Sequence, residues 1–188
     1  IRQLLLECGV HQEELGSNSV ISFKHAIDLN YVSFGYRLRQ ERLVLHPLSM
    51  CIKKNTTTAI MGASGVGKST LADLIVGLLE PTTGFISIDG VRLDDTNKWA
   101  WRQSVAYVSQ AVFLFNATIR KNLQLFCEDA SDSALWAALS DAAADFVSDL
   151  EHGLDTVVGD RGVRLSGGEC QRIALARATY EHLGRVGV

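Results

Sequence analysis

Residues 56–79 read TTTAIMGASGVGKSTLADLIVGLL, and this stretch decides the fold. Its first six residues predict a short buried strand, and Leu71, Leu74 and Leu78 recur at helical spacing. Between the two, residues 62–69 match the pattern G-x-x-x-x-G-K-[ST]. A glycine loop between a strand and a helix is the setting in which this pattern binds phosphate. We therefore predict a nucleotide-binding core.

The residue types in the loop suit phosphate chemistry. Glycines let backbone N–H groups approach phosphate oxygens closely, and a helix N-terminus attracts an anion. Lys68 is expected at the β- and γ-phosphates, Ser69 at Mg²⁺ and Thr70 at the α-phosphate. A plain glycine turn before a helix is the competing interpretation, but both spacing and context match the phosphate loop. The predicted phosphate-site residues are Gly62, Ser64, Gly65, Val66, Gly67, Lys68, Ser69 and Thr70.

Composition narrows the function classes. A length of 188 residues favours one domain. A formal charge of −3 gives no general attraction to nucleic acid, so no nucleic-acid partner is expected. The four cysteines are widely spaced, which argues against a disulfide framework or a zinc site and favours a reducing compartment. The chain begins with Ile1 and not with methionine, which suggests a piece of a longer polypeptide.

The order of elements predicts an α/β architecture. Residues 1–19 have the texture of a helix end and a Gly/Ser/Asn linker. β-rich runs follow, including a hairpin in ISIDGVRL and a strand in SVAYVSQ. Residues 116–152 are Ala/Leu/Asp-rich and helical in period, and we expect a helical subdomain over about residues 116–168. The predicted fold is a P-loop NTPase core with an antiparallel β subdomain and an inserted α-helical subdomain, all within residues 20–188.

A second motif identifies a family. Residues 165–172 read LSGGECQR, and Ser166 and Glu169 have the spacing of a helix capping box. With the phosphate loop before it and a helical region between, this motif resembles the signature of ATP-binding-cassette (ABC) ATPases. The resemblance implies that Ser166, Gly167, Gly168 and Glu169 face the ATP bound to a second ABC domain. The capping box and the ATP contact are compatible with each other.

Other positions fit the same resemblance. Tyr36 is similar to the aromatic residue that stacks on adenine, and Val44 is a second candidate for the ring. Gln110, which ends SVAYVSQ, resembles the glutamine that ligates Mg²⁺ and links to the membrane domain. Residues 113–120 (FLFNATIR) and 156–162 (TVVGDRG) are similar to exporter loops that meet the transmembrane domain, with Asp160 in place of Glu. Surface loops without a partner are the alternative for both segments.

One expected part of the family pattern does not occur within the 188 residues. The Walker B segment, an apolar strand ending in Asp-Glu, is expected after the signature helix and is not found there. This segment supplies the carboxylates for Mg²⁺ and water. The resemblance therefore implies an exporter-type domain truncated before Walker B, in which no catalytic residue is identified and the C-terminal part of the fold is missing. We expect weak nucleotide binding and no turnover from these residues alone.

The resemblance leads to a main functional hypothesis and two alternatives. The main one is the ATP-binding domain of an ABC exporter, with ATP and Mg²⁺, at the cytoplasmic face of a membrane. Its partners would be a transmembrane domain, joined through residues 1–19, and a second ABC domain in a head-to-tail dimer. A soluble ABC-type ATPase of DNA repair or translation is the second hypothesis. A non-catalytic nucleotide-binding module is the third.

Overall fold

The computed structural model describes residues 21–36, 43–125, 131–159 and 165–186, with side chains as far as Tyr180. The chain divides into two compact units, Ile1–Gln103 and Ser104–Val188. None of the helices in these ranges is long and apolar enough to cross a membrane. The predicted tail, residues 1–19, lies outside the described residues. The predicted subdomain boundaries stay predictions.

The first unit is built around an antiparallel sheet. Its strands are β1 (Ala26–Phe34), β2 (Leu45–Lys53), β3 (Thr83–Ile88) and β4 (Val91–Arg92), in the order β2-β1-β3-β4. In the central pair, Ile27 lies opposite Ile88 and Leu29 opposite Ile86, and all four side chains are buried. The antiparallel strands predicted from the β-rich runs are therefore present.

The predicted hairpin in ISIDGVRL is present as well. Asp89 and Gly90 join β3 to β4 with φ values of 50° and 82°, the backbone that a two-residue turn of type I′ requires. The Asp89 carboxylate also accepts hydrogen bonds from the backbone N–H groups of Lys24, His25 and Ala26. The turn thus fixes the chain that enters β1.

Two helices lie in the described part of the first unit. Helix α1 (Lys68–Val76) follows the glycine loop, and helix α2 (Lys98–Gln103) follows β4. The Trp101 indole N–H of α2 donates to the carbonyl of Ile75, 2.8 Å away, and the Arg102 guanidinium donates to the carbonyl of Gly77 at 2.9 Å. Because the last carbonyls of a helix have no partner within it, these bonds complete the C-terminus of α1.

The second unit is helical. It contains α3 (Ile119–Leu123), α4 (Asp132–Asp141), 3₁₀ turns at Asp145–Asp149 and Gly153–Asp155, and α5 (Gly167–Val186). Their apolar faces share one buried cluster. Its members are Leu114, Ile119, Leu123, Leu135, Ala138, Leu139, Ala142, Ala144, Val147, Leu154, Val158, Ile173, Ala176 and Tyr180.

Two predicted strands are absent from the observed elements. Residues 56–61 (TTTAIM) and 104–110 (SVAYVSQ) are not in strands, and most of their side chains are exposed. The predictions of strands at these two places are wrong for this structure. An apolar run becomes a strand only where another strand hydrogen-bonds to it. Neither segment has a paired neighbour among the described strands.

Candidate functional site

The glycine loop leads directly into helix α1. Gly65 and Gly67 have φ values of 79° and 99°, and Gly67 immediately precedes the helix. The Leu71 N–H donates to the Gly67 carbonyl at 2.8 Å, which closes the first helical turn. The N–H groups of the first turn have no carbonyl partner within the helix, so they can bind an anion.

Lys68 reaches back across the loop. Its Nζ donates to the carbonyls of Gly62 and Ala63, each 2.8 Å away. An ammonium group has three N–H donors, so one remains for a ligand. The loop therefore surrounds a cation, and that cation lies beside the helix start. This combination is suited to a polyphosphate.

Neighbouring side chains differ in their accessibility. Residues 62–66 and Ser69 are exposed, whereas Thr70 is buried. Val44 lies against the loop, since a Cβ added to Gly67 would be 3.2 Å from the Val44 carbonyl oxygen. The Ser69 hydroxyl is thus open to a ligand, and the Thr70 side chain packs into the protein.

The candidate base-stacking residue is accessible. The Tyr36 side chain is 44% exposed, and its ring packs edge-to-face on Phe34 at a centroid distance of 4.9 Å. Phe34 therefore supports the ring, and much of the residue is open to solvent. Residues 37–42, which follow, lie outside the described residues.

Gln110 belongs to the second unit and is exposed. It lies in an irregular segment, where the Ser109 hydroxyl donates to the carbonyl of Ala111 at 2.8 Å. Within the described ranges, no group of three or more His, Cys, Asp or Glu side chains could hold a metal ion. Ser69 and Gln110 each carry a side-chain oxygen atom, the ligand type that Mg²⁺ prefers.

The signature motif forms the N-terminus of α5. The Ser166 N–H donates to Glu169 Oε2 at 2.7 Å, and the Glu169 N–H donates to Ser166 Oγ at 3.3 Å. The hydrogen bond from the Ser166 N–H also lowers the pKa of Glu169. This reciprocal pair is the capping box that the sequence predicted.

The same helix start is open to a ligand. Ser166, Gly167 and Gly168 are exposed, and a Cβ added to Gly167 would meet nothing within 4 Å. The Ser166 hydroxyl also forms a hydrogen bond with the Glu169 carboxylate, which contributes to the lowered pKa of Glu169. The exposed backbone of Gly167 and Gly168 is therefore the part of this helix start that is open to an anion.

The two exporter-like segments are adjacent in the second unit. The Ile119 N–H donates to the Thr156 carbonyl at 3.0 Å, and the Val158 N–H donates to the Ala117 carbonyl at 3.1 Å. Phe113, Phe115 and Val157 beside this pairing are exposed. We refer to residues 113–118 and 156–158 as the paired-loop surface. Residues 160–162 lie outside the described residues.

Asn122 is a structural residue that the sequence analysis missed. Its side chain is fully buried and bonds to the backbone of residues 115 and 118. The signal available in the sequence was a polar residue on the apolar side of the short run IRKNL. A buried amide needs hydrogen-bond partners, and nearby loop backbone supplies them.

Comparison with known proteins places these features in a family. Residues 45–183 match the model of the ABC transporter family. The heterocyst differentiation ATP-binding protein HepA of Nostoc sp. is 44% identical over 156 residues, which are 82% of this chain and 25% of HepA. An ATP-dependent lipid A-core flippase of Pasteurella multocida is 38% identical over 169 residues, 89% of this chain and 29% of the flippase.

A solved structure gives the same result. A bacterial Atm1-family ABC exporter with ATP bound superimposes with a TM-score of 0.80 at 35% identity, covering 96% of this chain and 33% of the exporter chain. The predicted fold class and exporter resemblance are thereby confirmed. This chain spans less than a third of the length of the two curated relatives. The glycine loop, the capped LSGGE helix and these matches together show that the chain belongs to the ABC transporter family.

Proposed function

We propose that this chain is the ATP-binding domain of an ABC exporter, in which ATP binding and hydrolysis drive a substrate across a membrane. The observation that carries the proposal is the position of Lys68, whose Nζ bonds to the Gly62 and Ala63 carbonyls. This places a positive charge at the start of α1, where phosphate is favoured. Family membership supports ATP as the nucleotide.

Polar and aromatic residues would together hold the nucleotide. The loop and first helical turn, residues 62–70, would bind the phosphates, and Tyr36 would stack on the base with Val44 beside it. Ser69 and Gln110 supply oxygen atoms, the ligand type that Mg²⁺ prefers. When bound, Mg²⁺ would neutralise charge on the β- and γ-phosphate oxygens.

The N-terminus of α5 would serve a different nucleotide. Ser166, Gly167 and Gly168 are exposed, and their backbone suits the γ-phosphate of ATP held by a second ABC domain. Glu169 would hold the helix start through the capping box. Two such domains would then form a head-to-tail dimer with ATP at the interface.

A transmembrane domain is the second proposed partner. The paired-loop surface carries the exposed apolar side chains of Phe113, Phe115 and Val157, which suit contact with a protein partner. The matched flippase and the solved exporter support a domain at the cytoplasmic face of a membrane. Residues 1–19 would form the connection.

The parent protein is proposed to be an ATPase, but the 188 residues are expected to bind nucleotide without sustained turnover. They contain no apolar run ending in Asp-Glu after the signature helix. Hydrolysis needs a carboxylate for Mg²⁺ and a group that orients water. Sustained hydrolysis by the 188-residue chain, abolished by Lys68→Ala, would contradict this part of the proposal.

The test of nucleotide binding uses Lys68→Ala and a fluorescent ATP analogue. Loss of the ammonium should weaken binding by about tenfold or more, because a charge-assisted hydrogen bond to phosphate is removed. Lys53→Ala, at the exposed end of β2, is the matched control and should bind as the wild type does. Equal affinity of Lys68→Ala and the wild type would refute the proposed site.

A further inference from the structure

A hydrogen bond connects the signature helix to the paired-loop surface. Helix α5 begins at the signature motif, and its half-buried residue Arg177 donates from Nη1 to the carbonyl of Phe113 at 3.1 Å. Phe113 packs edge-to-face on Phe115, with ring centroids 4.9 Å apart. The guanidinium therefore holds the first residue of this surface against the helix.

Asn122 fixes the next part of the same segment. Its Nδ2 donates to the carbonyls of Phe115 and Thr118, both 3.0 Å away, and its Oδ1 accepts from the Phe115 N–H at 2.8 Å. The side chain has no exposed surface. Since losing a buried partner costs more than an exposed hydrogen bond contributes, this amide strongly restricts the loop.

Packing extends the connection to the second segment of the surface. Ile173 and Ala176 of α5 belong to the same buried cluster as Leu114, Ile119 and Val158. Close-packed side chains transmit displacement because they have little space in which to yield. A shift of α5 would therefore be carried to residues 113–118 by Arg177 and by this cluster, and to residues 156–158 by the backbone pairing.

We propose that Arg177 and Asn122 are positioning residues that make the paired-loop surface follow the helix that starts at the signature motif. This inference rests on the proposed function, in which one end of α5 meets ATP and the surface meets a transmembrane domain. Arg177 supplies the link to the helix. Asn122 restrains the loop, so that a displacement at Phe113 moves the rest of residues 113–118 with it. Neither residue is assigned a contact with nucleotide.

The test is hydrogen–deuterium exchange on the full-length polypeptide that carries these residues, with and without ATP. The amides to follow are those of Phe115, Ile119 and Val158, because each donates a hydrogen bond either to Asn122 or to a residue of the surface. In the wild type, ATP should alter exchange in both segments. Arg177→Met should reduce that ATP-dependent change by about fivefold, as expected for loss of roughly one hydrogen bond.

Two further variants separate positioning from simple loss of stability. Arg177→Lys keeps a donor for the Phe113 carbonyl and should restore the ATP response. Asn122→Asp keeps the side-chain volume but removes the Nδ2 donor, so it should also lose the response even if Arg177→Met fails to fold. Lys121→Ala, an exposed neighbour of Asn122, is the control and should respond as the wild type does. Each of the four variants that folds should bind ATP with the affinity of the wild type.

The outcomes distinguish this inference from the proposed function. A wild type that binds no ATP would overturn the proposed function, and the inference would fall with it. A wild type that binds ATP without altered exchange at the surface would overturn the inference alone. The inference also fails if Arg177→Met and Asn122→Asp keep the full ATP response, or if Lys121→Ala loses it as they do.

Discussion

Two glycines have different physical requirements although both lie at helix starts. Gly67 has a φ of 99°, and an added Cβ would approach the Val44 carbonyl oxygen to 3.2 Å. Gly167 is the first residue of α5, and an added Cβ there would meet nothing within 4 Å. The backbone requires glycine at Gly67, whereas at Gly167 only a bound ligand would require it.

Alanine substitutions at these glycines should therefore have opposite effects on folding. Gly67→Ala should lower the free energy of unfolding by about 1–3 kcal/mol, because alanine is strained at this φ. Gly167→Ala should leave stability equal or raise it by up to about 1 kcal/mol, because alanine suits a helix better than glycine does. Urea denaturation measures both. If Gly167→Ala unfolded as readily as Gly67→Ala, the open space at Gly167 would be disproved.

Asp89 gives the first unit a dependence on pH. Partial removal of water acts to raise the pKa of Asp89 and is the largest single influence. Hydrogen bonds from the N–H groups of Ala26, Lys24 and His25 outweigh it, so the pKa is lowered overall. The ionised carboxylate is thus the stabilising form. Its contribution to the free energy of unfolding is complete above the pKa of Asp89 in the unfolded chain. It is lost as the pH falls through the lower pKa of Asp89 in the folded protein.

Asp89→Asn should destabilise the protein at neutral pH, because the amide presents an NH₂ group where the carboxylate accepts hydrogen bonds. The difference in urea midpoint from the wild type should persist down to about pH 5 and shrink below about pH 4, where the unfolded carboxyl group protonates. Glu151→Gln, at an exposed site, is the control for loss of one negative charge. A midpoint difference that does not change with pH would contradict this role of the carboxylate.

At the scale of elements, turns and caps that depend on neighbouring residues were predicted correctly from the sequence. Two strands that would need distant pairing partners were not. The turn at Asp89 and Gly90 and the cap at Ser166 each depend on residues a few positions apart, and both are present. The strands predicted at 56–61 and 104–110 depended on apolar character alone, which does not supply a pairing partner. Asn122 was missed for a related reason, because its partners depend on how the loop folds back.

The start of α5 combines a structural and a proposed binding role, and two substitutions at Ser166 can separate them. Ser166→Ala removes the cap and should lower stability by about 1 kcal/mol. Ser166→Asp keeps a capping oxygen, so its thermal unfolding should resemble that of the wild type. Its negative charge would repel phosphate, so ATP-dependent dimerisation, measured by light scattering, should be lost. Dimerisation of Ser166→Asp at the wild-type level would exclude phosphate from this helix start.

On the scale of the whole molecule, the two halves of the proposed chemistry lie in different units. The phosphate loop belongs to Ile1–Gln103 and the signature helix to Ser104–Val188. If each ATP is shared between two copies, one copy supplies the phosphate loop and the other the signature helix. ATP hydrolysis lost through a variant in the phosphate loop of one copy should then be restored by a partner whose phosphate loop is intact. A site formed within one copy would allow no such compensation. Mixing two defective variants distinguishes these arrangements.

The variants to mix are Lys68→Ala and Ser166→Asp, each in the full-length polypeptide, with ATP hydrolysis as the measurement. Each variant alone should be nearly inactive, since neither kind of homodimer has a complete site. A mixed dimer keeps one complete site, formed by Lys68 of one copy and Ser166 of the other. Random mixing should therefore restore about a quarter of wild-type turnover, because half of the dimers are mixed and each has one of two sites. The control is the double variant, which should recover nothing when mixed with either parent. Turnover that stays at the level of the separate variants would rule out a site shared between copies.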